Sequence, residues 1–311
     1  MENKNIRKPA SKSLLYYENN KLVEEINPSC SLLTFLYTSK LGSVLRLLLK
    51  RPFVSKSLTW YYDCRLSRCL IKKFIAKYKI DMSEYEKPID AYKSFNDFFI
   101  RTLKANVRLI NPNTGALVSP ADSKLYAIAN ITSNDTFFIK QKPFDLKTFL
   151  GDQDLAGEFT SGSLFIFRLA PDNYHRFHFP CDCIPAAPKR ISGVLESVNP
   201  IVYKQNIQPL VTNERVLMEL ESKEFGTLLM VAVGAMFVGK IVTTYTPGKE
   251  YKKGDEAGYF AFGGSTVVVL AKKNVFTIQK TFIKHSLQGY ETAVKMGSVV
   301  NELVPPLLPG L

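Results

Sequence analysis

The strongest constraint on the fold is a change in the hydrophobic pattern near residue 111. Between residues 30 and 80, apolar residues recur every three or four positions with basic residues between them, which is typical of amphipathic helices. Later in the chain, short β-branched and aromatic runs alternate with turns rich in Gly, Pro, Asn and Asp. Such runs are Ser163–Leu169, Val216–Leu220, Thr227–Val233, Lys240–Thr244, Thr266–Leu270 and Val275–Phe282. The sequence therefore predicts an α+β protein, in which a helical basic N-terminal region (1–110) packs on a mostly antiparallel β-rich domain (111–311).

The positive charge is concentrated in the N-terminal region. Residues 1–110 contain 21 Lys and Arg against 10 Asp and Glu, a net charge of +11, whereas residues 111–311 contain 20 and 18, a net charge of +2. This asymmetry favours an anionic partner, either nucleic acid or an anionic membrane surface. Neither a zinc-ligand spacing nor an RNA-recognition motif occurs in the sequence. We therefore expect a membrane surface and no nucleic acid.

Two stretches of the N-terminal region fit a membrane interface. The first is the amphipathic stretch from Leu32 to Leu48, and the second is a basic stretch from Arg65 to Lys79. Trp60 and its tyrosine neighbours lie between them and have the amphipathic rings that anchor helices at an interface. Two ordinary helices that face the protein core are the alternative interpretation.

The chain has the sequence features of a peripheral protein. The most apolar segment, Ser31 to Leu49, is interrupted by Lys40 and Arg46, so a transmembrane helix is not expected. Residues 1–12 lack the apolar stretch of a secretory signal. The five cysteines are an odd number, which favours free thiols in a reducing compartment. We therefore expect a peripheral membrane protein on the cytoplasmic face of the cell membrane.

Two of the three histidines are candidates for chemistry. His175 and His178 lie three residues apart, directly after the strand predicted at Ser163–Leu169. Such a pair suits general acid–base chemistry near neutral pH. A metal site would need further ligands, and the nearby Cys181 and Cys183 do not complete a standard zinc spacing, so no metal is predicted.

A serine and an aspartate complete the set of candidate residues. Gly263-Gly264-Ser265 precedes an apolar run, and two glycines at this place suit either a tight turn or attack of the Ser265 hydroxyl on the preceding carbonyl. Asp122 follows a proline in a turn, where an acidic residue is common. An Asp, His and Ser constellation is thus available, although the Gly-x-Ser-x-Gly motif of α/β-hydrolases is missing.

Several short segments, distributed over most of the chain, have a specific order and spacing. They are Ser94–Arg101, Ser119–Asp122, Tyr174–Pro180, Ser197–Pro200, Asn213–Arg215, Val233–Ala235, Val238–Gly239, Lys253–Phe260 and Gly263–Thr266. Together they resemble the phosphatidylserine decarboxylase family, whose members depend on a pyruvoyl group. One departure is Ser123, where many members have glycine, and we expect it to alter the turn but not the chemistry.

The resemblance implies that the chain cleaves itself at the Gly264–Ser265 bond. Ser265 would attack the Gly264 carbonyl, convert the peptide bond to an ester and, by β-elimination, release a β chain (1–264) and an α chain (265–311) that begins with a pyruvoyl group. The resemblance assigns Asp122, His178 and Ser265 to this cleavage. In this assignment His178 is the base and Asp122 orients it, as in a serine-protease triad.

The resemblance also implies the reaction and its partners. Covalent pyruvate derived from Ser265 would be the cofactor and would form a Schiff base with the amine of phosphatidylserine. Carbon dioxide would leave, His175 would return a proton, and phosphatidylethanolamine would be released. The implied partners are phosphatidylserine, an anionic membrane surface, and the α and β chains of one precursor, while a homodimer is left open.

Two other classes of protein remain as alternatives at this point. One is a membrane-surface lipid hydrolase with a Ser, His and Asp triad, in which Ser265 stays intact in a single chain. The other is a lipoyl-like binding module, suggested by the spacing of Gly239-Lys240, Pro247-Gly248 and Lys253-Gly254. In such a module, substitution of His175, His178 or Ser265 would have no effect on function.

Overall fold

A large, mostly antiparallel sheet is the centre of the protein. The computed structural model describes residues 14–25, 30–132, 144–199, 202, 208–236, 240–263 and 265–303. Within them, ten strands form one sheet in the order β2-β1-β13-β3-β4-β12-β9-β8-β6, with β7 also paired to β8, and a smaller sheet has the order β10-β11-β5. Together with the helices, these sheets confirm the predicted α+β class.

The strands occur throughout the chain. They are β1 (Leu15–Glu18), β2 (Lys21–Glu24), β3 (Ser123–Ala129), β4 (Ser163–Leu169), β5 (Arg176–His178), β6 (Ile184–Pro185), β7 (Lys189–Ile191), β8 (Arg215–Ser222), β9 (Gly226–Gly234), β10 (Ile241–Thr243), β11 (Glu256–Phe260), β12 (Ser265–Ala271) and β13 (Glu291–Val294).

The helices are concentrated in the N-terminal third. They are α1 (Cys30–Thr38), α2 (Lys40–Leu49), α3 (Pro52–Asp63), α4 (Cys69–Tyr78), α5 (Phe95–Phe99), α6 (Leu146–Leu150), α7 (Gln153–Phe159), α8 (Pro209–Thr212) and α9 (Lys280–Leu287). Short 3₁₀ turns at Arg65–Arg68, Met82–Glu84 and Ile89–Ala91 connect the segments between α3 and α5.

Strand β12 lies in the middle of the large sheet and is buried on both faces. It pairs antiparallel with β4 on one side and β9 on the other. Val267 and Val269 contribute to the core on one face, whereas Val268 and Leu270 contribute to the core on the other. A continuous apolar run is what a strand covered on both faces requires. The first residue of this strand, Ser265, is thereby held inside the protein.

An N-terminal hairpin joins the large sheet, which the sequence did not predict. Strands β1 and β2 pair over Leu15–Glu18 and Lys21–Glu24, and β1 lies parallel to β13. Asn19 and Asn20 form the turn with φ of 49° and 59°, the conformation that two-residue hairpins prefer. Among the described residues, the first helix therefore begins only after this hairpin, at Cys30. The domain boundary near residue 110 stays a prediction.

The hairpin is attached to the sheet by a buried ion-pair network. Arg168 of β4 contacts Glu25, which follows β2, and Glu291 of β13, and Lys124 of β3 also pairs with Glu25. Burial raises the pKa of Glu25, but the charges and hydrogen bonds of Arg168 and Lys124 outweigh it and lower the pKa to about 2. The network therefore links strands that come from both ends of the chain.

The helical region packs against the segment that precedes β12. Ile71, Tyr92 and the three phenylalanines of α5 form a buried cluster, against which Phe262 packs. In the part of the chain that the structure describes, no single helix is long and apolar enough to cross a membrane. The pair Leu32–Thr38 and Lys40–Leu49 meets the length and composition criteria only when taken together, with a bend of 103° between the two helices.

Candidate active site

Ser265 is completely buried at the start of β12. It is 0% exposed, and its backbone is in register with Leu169 of β4 and Gly234 of β9. Its Oγ atom lies 3.5 Å from Nδ1 of His175. Gly264, the other residue of the predicted cleavage site, lies outside the described residues. Gly263 has a φ of 136°, a backbone conformation that glycine adopts far more readily than other residues.

His175 faces Ser265 with its Nδ1 atom. Its Nε2 atom lies 3.4 Å from the Pro171 carbonyl, which can only accept. In the tautomer that donates to this carbonyl, Nδ1 offers a lone pair to Ser265. The ring stacks on Phe99 with a centroid distance of 3.9 Å. Burial, followed by the charge of Arg101, lowers the pKa of His175 to about 3. His175 is therefore neutral at physiological pH.

His178 lies on β5, and both of its ring nitrogens have partners other than Ser265. Nδ1 donates to the Gly254 carbonyl at 2.9 Å, and Nε2 accepts from the Tyr174 hydroxyl at 3.1 Å. Burial and the charge of Arg176 lower the pKa of His178, and the Gly254 carbonyl and the negative charges of Glu256 and Asp122 offset only part of this effect, so that the pKa lies below its usual value. The pKa values of both histidines are therefore lowered, and acidic groups offset part of the shift only at His178.

Asp122 lies close to His178 in the fold but binds other groups. Arg108 donates to both of its carboxylate oxygens, at 3.0 and 2.6 Å, and the Met296 amide donates at 2.8 Å. Burial raises the pKa of Asp122, but the hydrogen bonds of Arg108 and the charges of Lys295 and Arg108 outweigh it, so that the pKa lies below its usual range. A direct bond between Asp122 and His178 is absent from the contacts of the described residues.

The structure thus brings together some of the predicted site residues. Ser265 and His175 are in contact, while His178 and Asp122 lie nearby on neighbouring segments, since the His178 amide donates to the carbonyl of Pro120 at 2.8 Å. The roles of Asp122, His175, His178 and Ser265 remain predictions. Their placement in one buried region is compatible with a shared site.

Sequence reasoning missed Arg108 and Arg101, which both contact this region. Arg108 joins Asp122 to Glu84, and Arg101 donates to the carbonyls of Asp172 and Asn173. A signal for Arg101 was present, because it ends the segment Ser94–Arg101 that carries the family resemblance. Arg108 follows that segment, and no pattern in the sequence indicates that it pairs with Asp122.

A large cavity lies apart from these residues. It has a volume of about 1430 Å³ and lies beside α9, where Lys280, Lys284 and Phe276 line it. Neither Ser265 nor His175, each 0% exposed, contributes to its lining. The candidate site in the uncleaved chain is therefore closed to a large substrate.

Comparison with known proteins shows the family. The family model for phosphatidylserine decarboxylase matches residues 95–301. The chain is 41% identical to the phosphatidylserine decarboxylase proenzyme of Chlamydia pneumoniae over 278 residues, which cover 89% of this chain and 92% of that protein. The corresponding proenzyme of Clostridium tetani is 41% identical, over 92% of this chain and 95% of that protein. That of Fusobacterium nucleatum is 42% identical, over 85% and 89%.

These matches span both the helical region and the β-rich domain and include every predicted site residue. Neither the lipid hydrolases nor the lipoyl-like modules considered from the sequence are the family that matches. The chain belongs to the phosphatidylserine decarboxylase family.

Proposed function

We propose that this chain is a proenzyme that cleaves itself between Gly264 and Ser265 and then converts phosphatidylserine to phosphatidylethanolamine and carbon dioxide. The observation that carries the proposal is the burial of the Ser265 hydroxyl directly after a glycine pair, with the His175 ring 3.5 Å from its Oγ atom. The proenzyme names of the relatives, at about 40% identity over most of the chain, support it.

Self-cleavage requires that Ser265 lose its hydroxyl proton and attack the carbonyl of residue 264. The C–N bond between the two residues breaks, a C–O ester bond forms, and the amino group of residue 265 takes up a proton. Elimination then removes the proton on Cα of residue 265 and releases the carboxylate of Gly264. Hydrolysis of the resulting dehydroalanine, with loss of ammonia, leaves a pyruvoyl group at position 265.

His178 is the better base for this step, although His175 is closer to Ser265. A base must hold the proton that it takes, and the positive charge of Arg101 makes this costly for His175. At His178 the charges of Glu256 and Asp122 offset part of the lowering caused by burial and by Arg176. In this role the His178 ring has to exchange the Tyr174 hydroxyl for that of Ser265.

His175 is suited to the turnover reaction, because it stands at the position where the pyruvoyl group would form. The pyruvoyl group supplies the electron sink into which the carbon–carboxylate bond of the substrate can break. In the free protein His175 carries almost no proton to donate near neutral pH, since its pKa is about 3. The negative charges of the phosphatidylserine headgroup would raise this pKa, so that His175 could donate a proton only when the substrate is bound.

Cleavage also explains how a position that is buried in the precursor can react with a lipid headgroup. A site in which Ser265 and His175 are both 0% exposed has no room for a phospholipid headgroup. Breaking the chain before β12 frees the segment that ends at residue 264 to move away, while β12 itself stays in the sheet between β4 and β9. Access to the site would thus follow from maturation.

The mass of the purified protein tests this proposal. Wild-type protein is expected to show two chains, residues 1–264 and residues 265–311 with a pyruvoyl start, and to release carbon dioxide from phosphatidylserine. Ser265→Ala should remain one inactive chain. Ser286→Ala is the matched control, because Ser286 is also buried in the last part of the chain but bonds to the Ala127 amide. A wild-type protein that is active as one intact chain would contradict the proposal.

We further propose that the protein binds the cytoplasmic face of the membrane through α2 and the basic segment from Arg65 to Lys79. Leu41, Val44 and Leu48 of α2 are 72%, 60% and 60% exposed. On another side of this helix, Arg46 and Lys50 are held by Glu196. The sequence left open whether Leu41, Val44 and Leu48 face the protein core or a membrane, and their exposure favours the membrane.

Vesicle binding tests this surface. Substitution of Leu41, Val44 and Leu48 together by serine should weaken binding to anionic vesicles at least about tenfold, because each apolar side chain buried in lipid contributes up to about 1.5–3 kcal/mol. Leu109→Ser with Leu287→Ser is the matched control, since these leucines are 84% and 83% exposed elsewhere. An equal loss of vesicle binding in the control would contradict a specific role of α2.

The basic segment is tested separately by charge and salt. Replacing Arg65, Arg68, Lys72 and Lys73 by glutamine should weaken binding, and so should raising the salt from about 0.1 M to about 1 M, which shortens the screening length from ~10 to ~3 Å. Binding that is insensitive to both changes would contradict an electrostatic contribution. The mass of the detergent-solubilised protein in the same preparations would show whether it forms the homodimer left open by the sequence.

A further inference from the structure

The segment from Asn96 to Arg101 belongs to the helical region, yet it contacts the candidate active site. Asn96 is the second residue of α5, a helix whose N-terminus is capped by Ser94. Its side chain makes two hydrogen bonds. Oδ1 accepts from the Phe262 amide at 3.0 Å, and Nδ2 donates to Oδ1 of Asp63 at 2.7 Å. Asn96 therefore connects the end of α3 to a residue two positions before the predicted cleavage site.

The side chain of Phe262 is held by the same region. Its ring lies 4.0 Å from that of Tyr62 and 5.1 Å from those of Phe95 and Phe99, measured between centroids. These contacts fix the ring, whereas Asn96 fixes the backbone amide. The glycine that follows, Gly263, has a φ of 136° and carries no side chain. Phe262 is thus anchored through both its ring and its amide, two positions before residue 264.

The other side of the site is held by the end of this segment. Phe99 stacks on the His175 ring, and Arg101 donates to the carbonyls of Asp172 and Asn173, both at 3.1 Å, in the loop that leads to His175. Arg101 is only 1% exposed. One short segment of the helical region thus contacts both chain segments that meet at Ser265.

We propose that Asn96 is a positioning residue for self-cleavage, which sets the backbone before the scissile bond relative to the Ser265 hydroxyl. The inference rests on the proposed function, because it assumes that the bond after residue 264 is cleaved. Attack on a carbonyl requires the reacting atoms to be within about 3–3.5 Å and aligned, and a displacement of about 1 Å can cost ~100-fold in rate. Loss of the Asn96 contact leaves the Phe262 amide free to shift.

An exchange of the two polar residues tests this role. Asn96→Asp keeps an oxygen for the Phe262 amide but places its carboxylate against that of Asp63, so cleavage should slow by ~10–100-fold. Asp63→Asn should cleave at nearly the wild-type rate, because its oxygen still accepts from Asn96. In the double variant Asn96→Asp/Asp63→Asn the donor and acceptor are reversed, and the rate should recover.

The measurement is the time course of appearance of the α chain after cell-free synthesis of the full-length protein, with unfolding temperatures measured in parallel. Asn301→Asp is the matched control: Asn301 is also buried and bonds to Leu117 and Gly115, so this variant should lose stability but cleave at the wild-type rate. Asp63→Ala provides a second test at an exposed residue, where folding is at little risk, and should slow cleavage several-fold.

The outcomes separate this inference from the proposed function. A wild-type chain that stays uncleaved would overturn both. Cleaved wild-type protein together with Asn96→Asp cleaved at the same rate would overturn the inference alone, as would a double variant no faster than Asn96→Asp. If Asn96→Asp does not fold, an Asp63→Ala variant that cleaves at the wild-type rate would overturn the inference instead.

Discussion

Single substitutions of the two site histidines should have different effects on maturation and on turnover. His178→Ala is expected to remain an uncleaved and inactive chain, because it removes the imidazole that Glu256 and Asp122 can help to protonate. His175→Ala should still be cleaved into two chains. Its decarboxylation rate should nevertheless fall by ~10²–10⁴-fold, the usual contribution of a general acid or base.

The size of the His175 pKa shift supports this division of roles. A decrease from 6.5 to about 3 disfavours the protonated ring by on the order of 5 kcal/mol, so only about one molecule in 10⁴ carries the proton at pH 7. Such a ring is a weak base toward a serine hydroxyl. It becomes an effective acid only where an anionic ligand offsets the burial and the charge of Arg101.

The assay scores each variant twice, by the mass of its chains and by release of carbon dioxide from phosphatidylserine in mixed micelles. His285→Ala is the matched control, since His285 is also buried but bonds to Thr292 and stacks on Tyr17, and it should cleave and turn over normally. An uncleaved His175→Ala together with a cleaved His178→Ala would reverse the assignment. It would also show that proximity to Ser265 matters more than the neighbouring charges.

Other predictions concern stability and maturation. Arg168→Met should lower the free energy of unfolding by about 3–5 kcal/mol in urea titrations, because it leaves Glu25 and Glu291 buried without their main partner; an unchanged midpoint would contradict this. In the wild-type protein, the stabilisation from Glu25, on the order of 3 kcal/mol, is present above its unfolded pKa of 4.5 and should be lost as the pH falls towards 2, which urea titrations at several pH values would show. Gly263→Ala should slow cleavage and cost about 1–3 kcal/mol, since its φ of 136° strains other residues, and cleavage at the wild-type rate would argue against this. The cleaved chains should co-elute in size-exclusion chromatography and separate only in denaturant, because β12 lies between two strands of the other chain.

Several parts of the fold could be read from the sequence because they depend on neighbours along the chain. The run Val267–Leu270 is apolar at every position, which predicts a strand buried on both faces, and β12 is such a strand. The helical spacing between residues 30 and 80 likewise corresponds to α1 through α4. The turn pair Asn19-Asn20 is a local signal for the hairpin of β1 and β2, but the parallel pairing of β1 with β13 joins residues more than 270 positions apart and has no such signal.

The contacts within the site could not be predicted in the same way. A spacing of three residues between His175 and His178 allows either ring to face Ser265, and the stacking of Phe99 on one of them comes from a helix more than 70 residues earlier. The partner of Asp122 is Arg108, whose position in the sequence carries no pattern that indicates this pairing.

The sequence alone therefore determined the strand that carries Ser265, the helical character of the N-terminal region and the order of segments that identifies the family. Periodicity and motif order depend on residues close together in the chain, and these can be read directly. Only the tertiary structure decided that His175 contacts Ser265 and that Asn96 binds the Phe262 amide. Those contacts join residues 90 and 166 positions apart, and their geometry depends on how the helical region packs against the sheet.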